Sequence, residues 1–183
     1  RMQAAGYAYT GNWSAGENIA YVGTTGALNV NGSIDQLHRN LFLSAGHREN
    51  IEATSFKEVG IAAVTGLFTT GGTTYNTEMA TENFASSGTA SFVTGVVYDH
   101  ANHDNFYSIG EGRSGITATL HSNAGALAST TSWGAGGFNI GTTTTGAMVV
   151  EFSGGTIGSA VGAAFVLGTN NVKIDLVNSN TID

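Results

Sequence analysis

Two groups of side chains in this sequence have types and spacings that could do chemistry. The first consists of acidic residues and histidines in the amino-terminal half of the chain. A histidine that faces a carboxylate in a half-buried groove can hold a divalent cation or a polar ligand, because each group shifts the pKa of the other. The members are Glu17, His47 and Glu82, with Glu17 and His47 as the candidate catalytic pair and His38 as a nearby mid-helix histidine.

The second group lies in a twelve-residue stretch, 100–111, that has the register of a calcium loop. Such a loop binds calcium through oxygen ligands at positions 1, 3, 5, 7, 9 and 12, with a sharp turn at position 6. His100 occupies position 1, where calcium prefers an oxygen, and Asn105 occupies the turn. Asp99 could substitute for His100, whereas His100 with His103 leaves a softer metal open. The predicted metal-binding residues are His100, Asn102, Asp104, Phe106 (through its carbonyl), Ser108 and Glu111.

The calcium interpretation has a metal-free alternative. Asn102 and Asp104 could hold the same loop through hydrogen bonds to backbone amides. Elsewhere the sequence has neither a Gly-x-Ser-x-Gly elbow nor a His-Glu-x-x-His helix. The residues by themselves therefore do not indicate a serine hydrolase or a zinc peptidase.

Four short motifs within residues 1–85 resemble those of a known family. They read Gly-Glu-Asn-Ile at 16–19, Ser-Ala-Gly-His-Arg-Glu-Asn-Ile at 44–51, Phe-Lys-Glu-Val-Gly at 56–60 and Thr-Glu-Asn-Phe at 81–84. In this order they resemble the bacterial, SCP-like extracellular branch of the CAP superfamily (cysteine-rich secretory proteins, antigen 5 and plant pathogenesis-related proteins). The resemblance implies a three-layer α-β-α sandwich with a His- and Glu-lined cleft, to which Glu17 and His47 correspond.

The chain departs from that family at three places. Ala45 stands where the family usually has proline, and Glu82 stands where glutamine is usual. The resemblance also implies an earlier helix that carries another cleft histidine and would precede Arg1.

The second part of the chain, residues 92–178, resembles a different group, the calcium-loop β-sandwich modules of bacterial surface proteins.

The predicted elements change type near residue 86. An amphipathic helix begins at a capping box whose N-cap is Ser33 and ends at Gly46. A short helical segment at 47–52, a strand at 58–64 and an antiparallel return strand at 75–84 follow. Short strands separated by glycine-rich turns are predicted at 92–98, 116–121, 138–140, 147–152 and 172–177. We therefore predict an α+β chain, with a partial CAP-like α-β-α sandwich over 1–86 and an all-β sandwich over 90–183.

The composition and charge of the chain limit the kinds of partner that it can bind. Of 183 residues, 10% are charged and the formal net charge is −7, with the six Lys and Arg scattered singly. Nucleic acid is excluded as a partner, because a binder needs a basic patch. The longest apolar run is too short to span a bilayer. A surface of Thr, Ser, Asn and Gly, without cysteine, is typical of secreted or cell-surface bacterial proteins, and the start at Arg1 indicates a processed product or a segment.

Three functions are compatible with these observations. The leading hypothesis is a non-enzymatic binding or structural module of a secreted bacterial protein, with a CAP-like cleft for an unknown extracellular ligand and a calcium-stabilised β-sandwich. The first alternative is a CAP-like hydrolase that uses Glu17 and His47. The second is a subunit of an extracellular assembly, which self-associates or is completed by a chain that supplies the missing first helix.

Overall fold

The computed structural model describes residues 1–104 and 106–183 and divides the chain into two compact units, Arg1–Gly88 and Thr89–Asp183. Strands hold 49% of the residues and helices 14%. The α+β prediction is therefore wrong, and the chain fits an all-β class. The physical reason is that helical periodicity is confined to two short segments, whereas the apolar and threonine-rich stretch that follows them forms two long strands.

The first unit consists of a three-stranded antiparallel sheet and two helices. The strand order is β1-β3-β2. Both helices contact the sheet from the same face, so among the described residues the second helical layer of the predicted sandwich is not formed. The elements, after a short 3-10 helix at Gln3–Ala5, are β1 (Trp13–Thr24), α1 (Val30–Leu43), α2 (Ala45–Glu52), β2 (Glu58–Thr70) and β3 (Thr73–Ser87).

Helix α1 begins one turn earlier than predicted. Its N-cap is Asn29, whose side chain accepts a hydrogen bond from the Gly32 amide at 3.3 Å. The predicted cap, Ser33, is instead a buried residue of the first helical turns. Asn is as good an N-cap as Ser, and the glycine at 32 does not stop the helix. Leu37 and Leu41 are buried as the helical spacing predicts, and α2 confirms the predicted second helical segment.

A tight hairpin sets the register of β2 and β3. Gly71 and Gly72 form its two-residue turn, with φ of 57° and 79°. Positive φ at both central residues is the type I′ geometry, which matches the twist of the flanking strands and which glycine adopts without strain. Thr70 therefore pairs with Thr73, and the pairing continues without a register shift to Glu58 and Ala85.

The second unit contains two sheets. One has the order β10-β4-β11-β12, with β7 also paired to β4, and the other has the order β6-β5-β8-β9. The strands are β4 (Ser91–Tyr98), β5 (Thr117–Ser122), β6 (Gly125–Thr131), β7 (Gly137–Thr142), β8 (Gly146–Ser153), β9 (Val161–Leu167), β10 (Val172–Lys173), β11 (Leu176–Val177) and β12 (Thr181–Ile182).

Both sheets of the second unit contribute to one buried core. Phe138 of β7 and Phe152 of β8 meet edge to face, with ring centroids 5.3 Å apart. Val93 and Val97 of β4 belong to the same cluster. The predicted strand at 172–177 is divided into β10 and β11, because Asp175 between them accepts a hydrogen bond from the Val96 amide at 2.8 Å.

Candidate functional site

A buried polar network joins the first sheet to its helices. Glu82 of β3 is 5% exposed and accepts a 3.0 Å hydrogen bond from Nδ2 of Asn18 in β1. The same nitrogen donates to the His47 carbonyl at 2.9 Å, and Oδ1 of Asn18 accepts from Asn50 at 2.9 Å. Since Asn18 is fully buried, these bonds satisfy polar atoms that water does not reach. The network fastens α2 to the sheet.

His38 is the surface end of this network. Its Nδ1 lies 3.1 Å from Oε1 of Glu82, and its side chain is 64% exposed. In the neutral tautomer whose Nδ1 donates to Glu82, Nε2 is a free acceptor. The described residues include no group of three His, Cys, Asp or Glu that could hold a metal. His38 thus offers a polar contact at the surface.

The structure does not bring Glu17 and His47 together. Side chains alternate between the faces of a strand, so Glu17 lies on the face opposite to Asn18 and the helices. There it forms an ion pair with Arg1. His47 lies on the helix side, with Nδ1 2.8 Å from Oγ of Ser44. Of the three predicted cleft residues, only Glu82 contributes its side chain to the buried network, whereas His47 contributes its backbone carbonyl.

In the second unit, Glu111 closes the predicted calcium loop. Its Oε1 accepts hydrogen bonds from the backbone amides of Ala101 (2.9 Å) and Asn102 (3.2 Å), and its Oε2 accepts from that of Ser108 (2.8 Å). These bonds, with the one from Ser108 as the largest cause, hold the pKa of the Glu111 carboxyl below its ordinary value. Glu111, the last residue of the loop, is thereby hydrogen-bonded to the first residues of the loop.

The remaining predicted ligands bond to one another. Nδ2 of Asn102 lies 3.0 Å from both Oδ2 of Asp104 and Oγ of Ser108. Oδ1 of Asp104 accepts from the Phe106 amide at 2.8 Å and lies 3.6 Å from Nε2 of His100.

Calcium needs several oxygens that converge on one point. Here Nδ2 of Asn102 lies between the side-chain oxygens of Asp104 and Ser108. Both carboxylate oxygens of Glu111 accept hydrogen bonds from backbone amides. In this conformation the predicted ligands bond to protein groups, and Glu111 would have to give up at least one backbone bond to Oε1 to bind calcium through both of its oxygens. The calcium assignment stays a prediction, and Asn105, at its turn position, lies outside the described residues.

The backbone of β2 is unpaired along one side among the described residues. Thr70 and Thr73 flank a two-residue turn and therefore exchange hydrogen bonds across the hairpin. In an antiparallel pair, hydrogen-bonded and non-hydrogen-bonded positions alternate. The even-numbered residues of β2 therefore bond to β3, and the odd-numbered residues 59–69 direct their N–H and C=O groups to the free edge.

The side chains of β2 are exposed on both faces of the sheet. Ile61 and Leu67, on the helix face, are 69% and 77% exposed, and Val64, on the other face, is 66% exposed. Between Val59 and Thr70 the sequence has no charged residue and no proline, and the pairing has no bulge. Natural sheet edges usually carry one of these protections. The edge of β2 is therefore a template for another strand.

No protein-family model matches the chain, and no curated protein matches it. Neither described helix is long and apolar enough to cross a bilayer, since the longer, α1, has fourteen residues.

Proposed function

We propose that this chain is a non-enzymatic structural and binding module that accepts a β-strand at the free edge of β2. The observation that carries the proposal is the thirteen-residue edge strand, uncharged from Val59 to Thr70, with unpaired backbone groups and exposed apolar side chains. Strand addition satisfies both features at once, because backbone hydrogen bonds supply affinity and alternate side chains supply specificity. The composition of the strand supports it as well, since β2 contains no lysine or arginine that would oppose pairing with another strand.

The setting that we propose is a secreted or cell-surface bacterial protein. The low charge and the Thr-, Ser-, Asn- and Gly-rich surface support this setting. Descent of the first unit from the CAP superfamily is supported by the order of its four motifs alone. The hydrolase alternative loses its geometric basis, because Glu17 and His47 lie on opposite sides of the sheet.

A strand peptide tests the proposal. The probe is a fluorescent peptide with the sequence of residues 58–70, and binding to the whole chain is followed by anisotropy. We expect saturable binding to the wild type and a loss of at least about tenfold in affinity in Ala63→Pro, because residue 63 directs its N–H to the free edge. Ala63→Ser keeps that N–H and is the matched control.

Two results would overturn the proposal. One is a wild-type chain that does not bind the peptide at any concentration up to millimolar. The other is binding that Ala63→Pro leaves unchanged, provided that circular dichroism shows the variant to be folded. Binding that survives in Ala63→Ser and disappears in Ala63→Pro supports it.

A further inference from the structure

We infer that the strand accepted at β2 is the β2 of a second copy of this chain, in an antiparallel register centred on Val64. This inference rests on the proposed function and names its partner. The free edge itself restricts the partner to an extended strand, since only a strand offers N–H and C=O groups at the same spacing.

The backbone geometry allows this pairing along the whole strand. Val64 is the midpoint of Glu58–Thr70, so a two-fold axis at Val64 gives all thirteen residues a partner. Each odd-numbered residue then meets another odd-numbered residue, as 61 meets 67 and 63 meets 65. Since the odd-numbered residues direct their hydrogen-bonding groups outward, donors meet acceptors throughout.

The side chains also match in this register. Ile61 lies opposite Leu67 twice, once on each side of the axis, and these are the most exposed apolar residues of the strand. Both belong to the helix face, as directly opposed residues of a pair must. Val64 meets its own copy on the other face. Moving the axis to residue 63 or 65 separates Ile61 from Leu67 and leaves the strand ends unpaired.

Charge does not oppose the pairing. The only charged residue of β2 is Glu58, and in this register it lies opposite Thr70 rather than opposite another carboxylate. Like charges that face each other directly across a strand pair are destabilising, and none do so here. The strand is therefore compatible with itself although the chain as a whole carries a net charge of −7.

A groove at the end of β2 receives the added side chain. It has a volume of about 440 Å³ and lies between β2 and the segment that leads into α1. Leu67 and Val30 form part of its apolar wall. Ile61 of the second copy, opposite Leu67, extends that wall, and the two three-stranded sheets become one continuous sheet in the order β1-β3-β2-β2-β3-β1.

A single introduced cysteine tests the register, because the chain has no cysteine of its own. In this register Val64 and its copy form a non-hydrogen-bonded pair with Cα atoms about 4.5 Å apart. That separation suits a disulfide, which needs Cα atoms roughly 4.4–6.8 Å apart. We expect Val64→Cys to form a covalent dimer rapidly under mild oxidation.

The control is Ala62→Cys on the same exposed strand. Its partner in this register is Gly66, so two copies of residue 62 lie about 14 Å apart, at roughly 3.4 Å per residue along the strand, and do not cross-link. The double variant Val64→Cys/Ala63→Pro is expected to remain monomeric. If V64C cross-links no faster than A62C while the chain still binds the β2 peptide, self-pairing is overturned and strand addition stands. If the peptide does not bind either, the proposed function itself fails.

Discussion

At the scale of single residues, Glu111 shows how a loop with calcium-like spacing can be held by hydrogen bonds. The register at positions 3, 5, 9 and 12 predicts a cation site with residues Asn102, Asp104, Ser108 and Glu111. The structure uses the same residues to bond backbone amides and one another. The spacing of Asn102 and Asp104 in the sequence also allows this metal-free arrangement, but it does not indicate the larger role of Glu111.

The substitution Glu111→Gln tests this role. The backbone bonds lower the pKa of the folded-state carboxyl relative to the unfolded chain, in which it is about 4.3. Glu111 therefore stabilises the fold above that pH, and the contribution is lost as the pH falls through the lower, folded-state pKa. We expect E111Q to lower Tm at neutral pH by about 4 °C or more, with a smaller difference from the wild type in acid.

The same melting experiment is repeated with calcium and with a chelator. Because the carboxylate of Glu111 already accepts backbone hydrogen bonds, we expect Tm of the wild type to be the same in millimolar calcium as in chelator. A rise in Tm of several degrees with calcium, absent in E111Q, would contradict the hydrogen-bonded account and support the calcium loop. Equal Tm values for E111Q and the wild type at neutral pH would show that the backbone hydrogen bonds of Glu111 contribute nothing to the stability of the fold.

The sequence singles out Glu82 as a candidate site residue but does not predict its contact with His38. Glu82 draws attention in the sequence as a carboxylate where the resembled family has glutamine. Its partners cannot be read from the sequence, because His38 is separated from it by 44 residues and meets it only once α1 packs on the sheet. Glu17 shows the converse, since a motif places it in a cleft but the alternation of the strand turns it to the other face.

At the scale of elements, β2 and β3 differ most from expectation. The sequence predicts a strand at 58–64, and the strand extends to Thr70. The glycine pair at 71–72 is a recognisable hairpin signal, because both φ values must be positive there. The exposure of β2 on both faces has no sequence signal, since apolar residues such as Ile61 and Leu67 read as core positions until the covering layer is known.

Proline at neighbouring positions of β2 tests the assignment of its two edges. Ala62→Pro removes an N–H that bonds to β3, and leaves a carbonyl of β3 without its donor. We expect it to cost about 1–3 kcal/mol, which lowers Tm by roughly 4–8 °C for each kcal/mol in a unit of this size. Ala63→Pro removes an outward N–H and is expected to shift Tm of the dilute protein by less than about 2 °C. Equal losses in the two variants, or the reverse order, would contradict the alternation.

At the scale of the whole molecule, the low charge implies uncharged surface, and composition alone does not specify where that surface lies. With 10% charged residues, some surface must be neutral, yet the sequence does not say which. The structure places five exposed large apolar side chains on the edge strand β2, which has neither lysine nor proline to block pairing. The strand-rich second half was predictable from its alternation and glycine turns, whereas the all-β class of the whole was not, because the motifs of residues 1–85 favoured an α-β-α sandwich.

Hydrogen exchange of individual β2 amides, measured by NMR in dilute and concentrated samples, tests the central claim most directly. In dilute protein we expect the even-numbered amides to be protected by β3 and the odd-numbered amides 59–69 to exchange rapidly. On concentration, the odd-numbered amides should gain the same protection in the wild type, and should fail to do so in Ala63→Pro. Odd-numbered amides that exchange rapidly at every concentration, beside protected even-numbered ones, would contradict pairing at the β2 edge between copies of this chain.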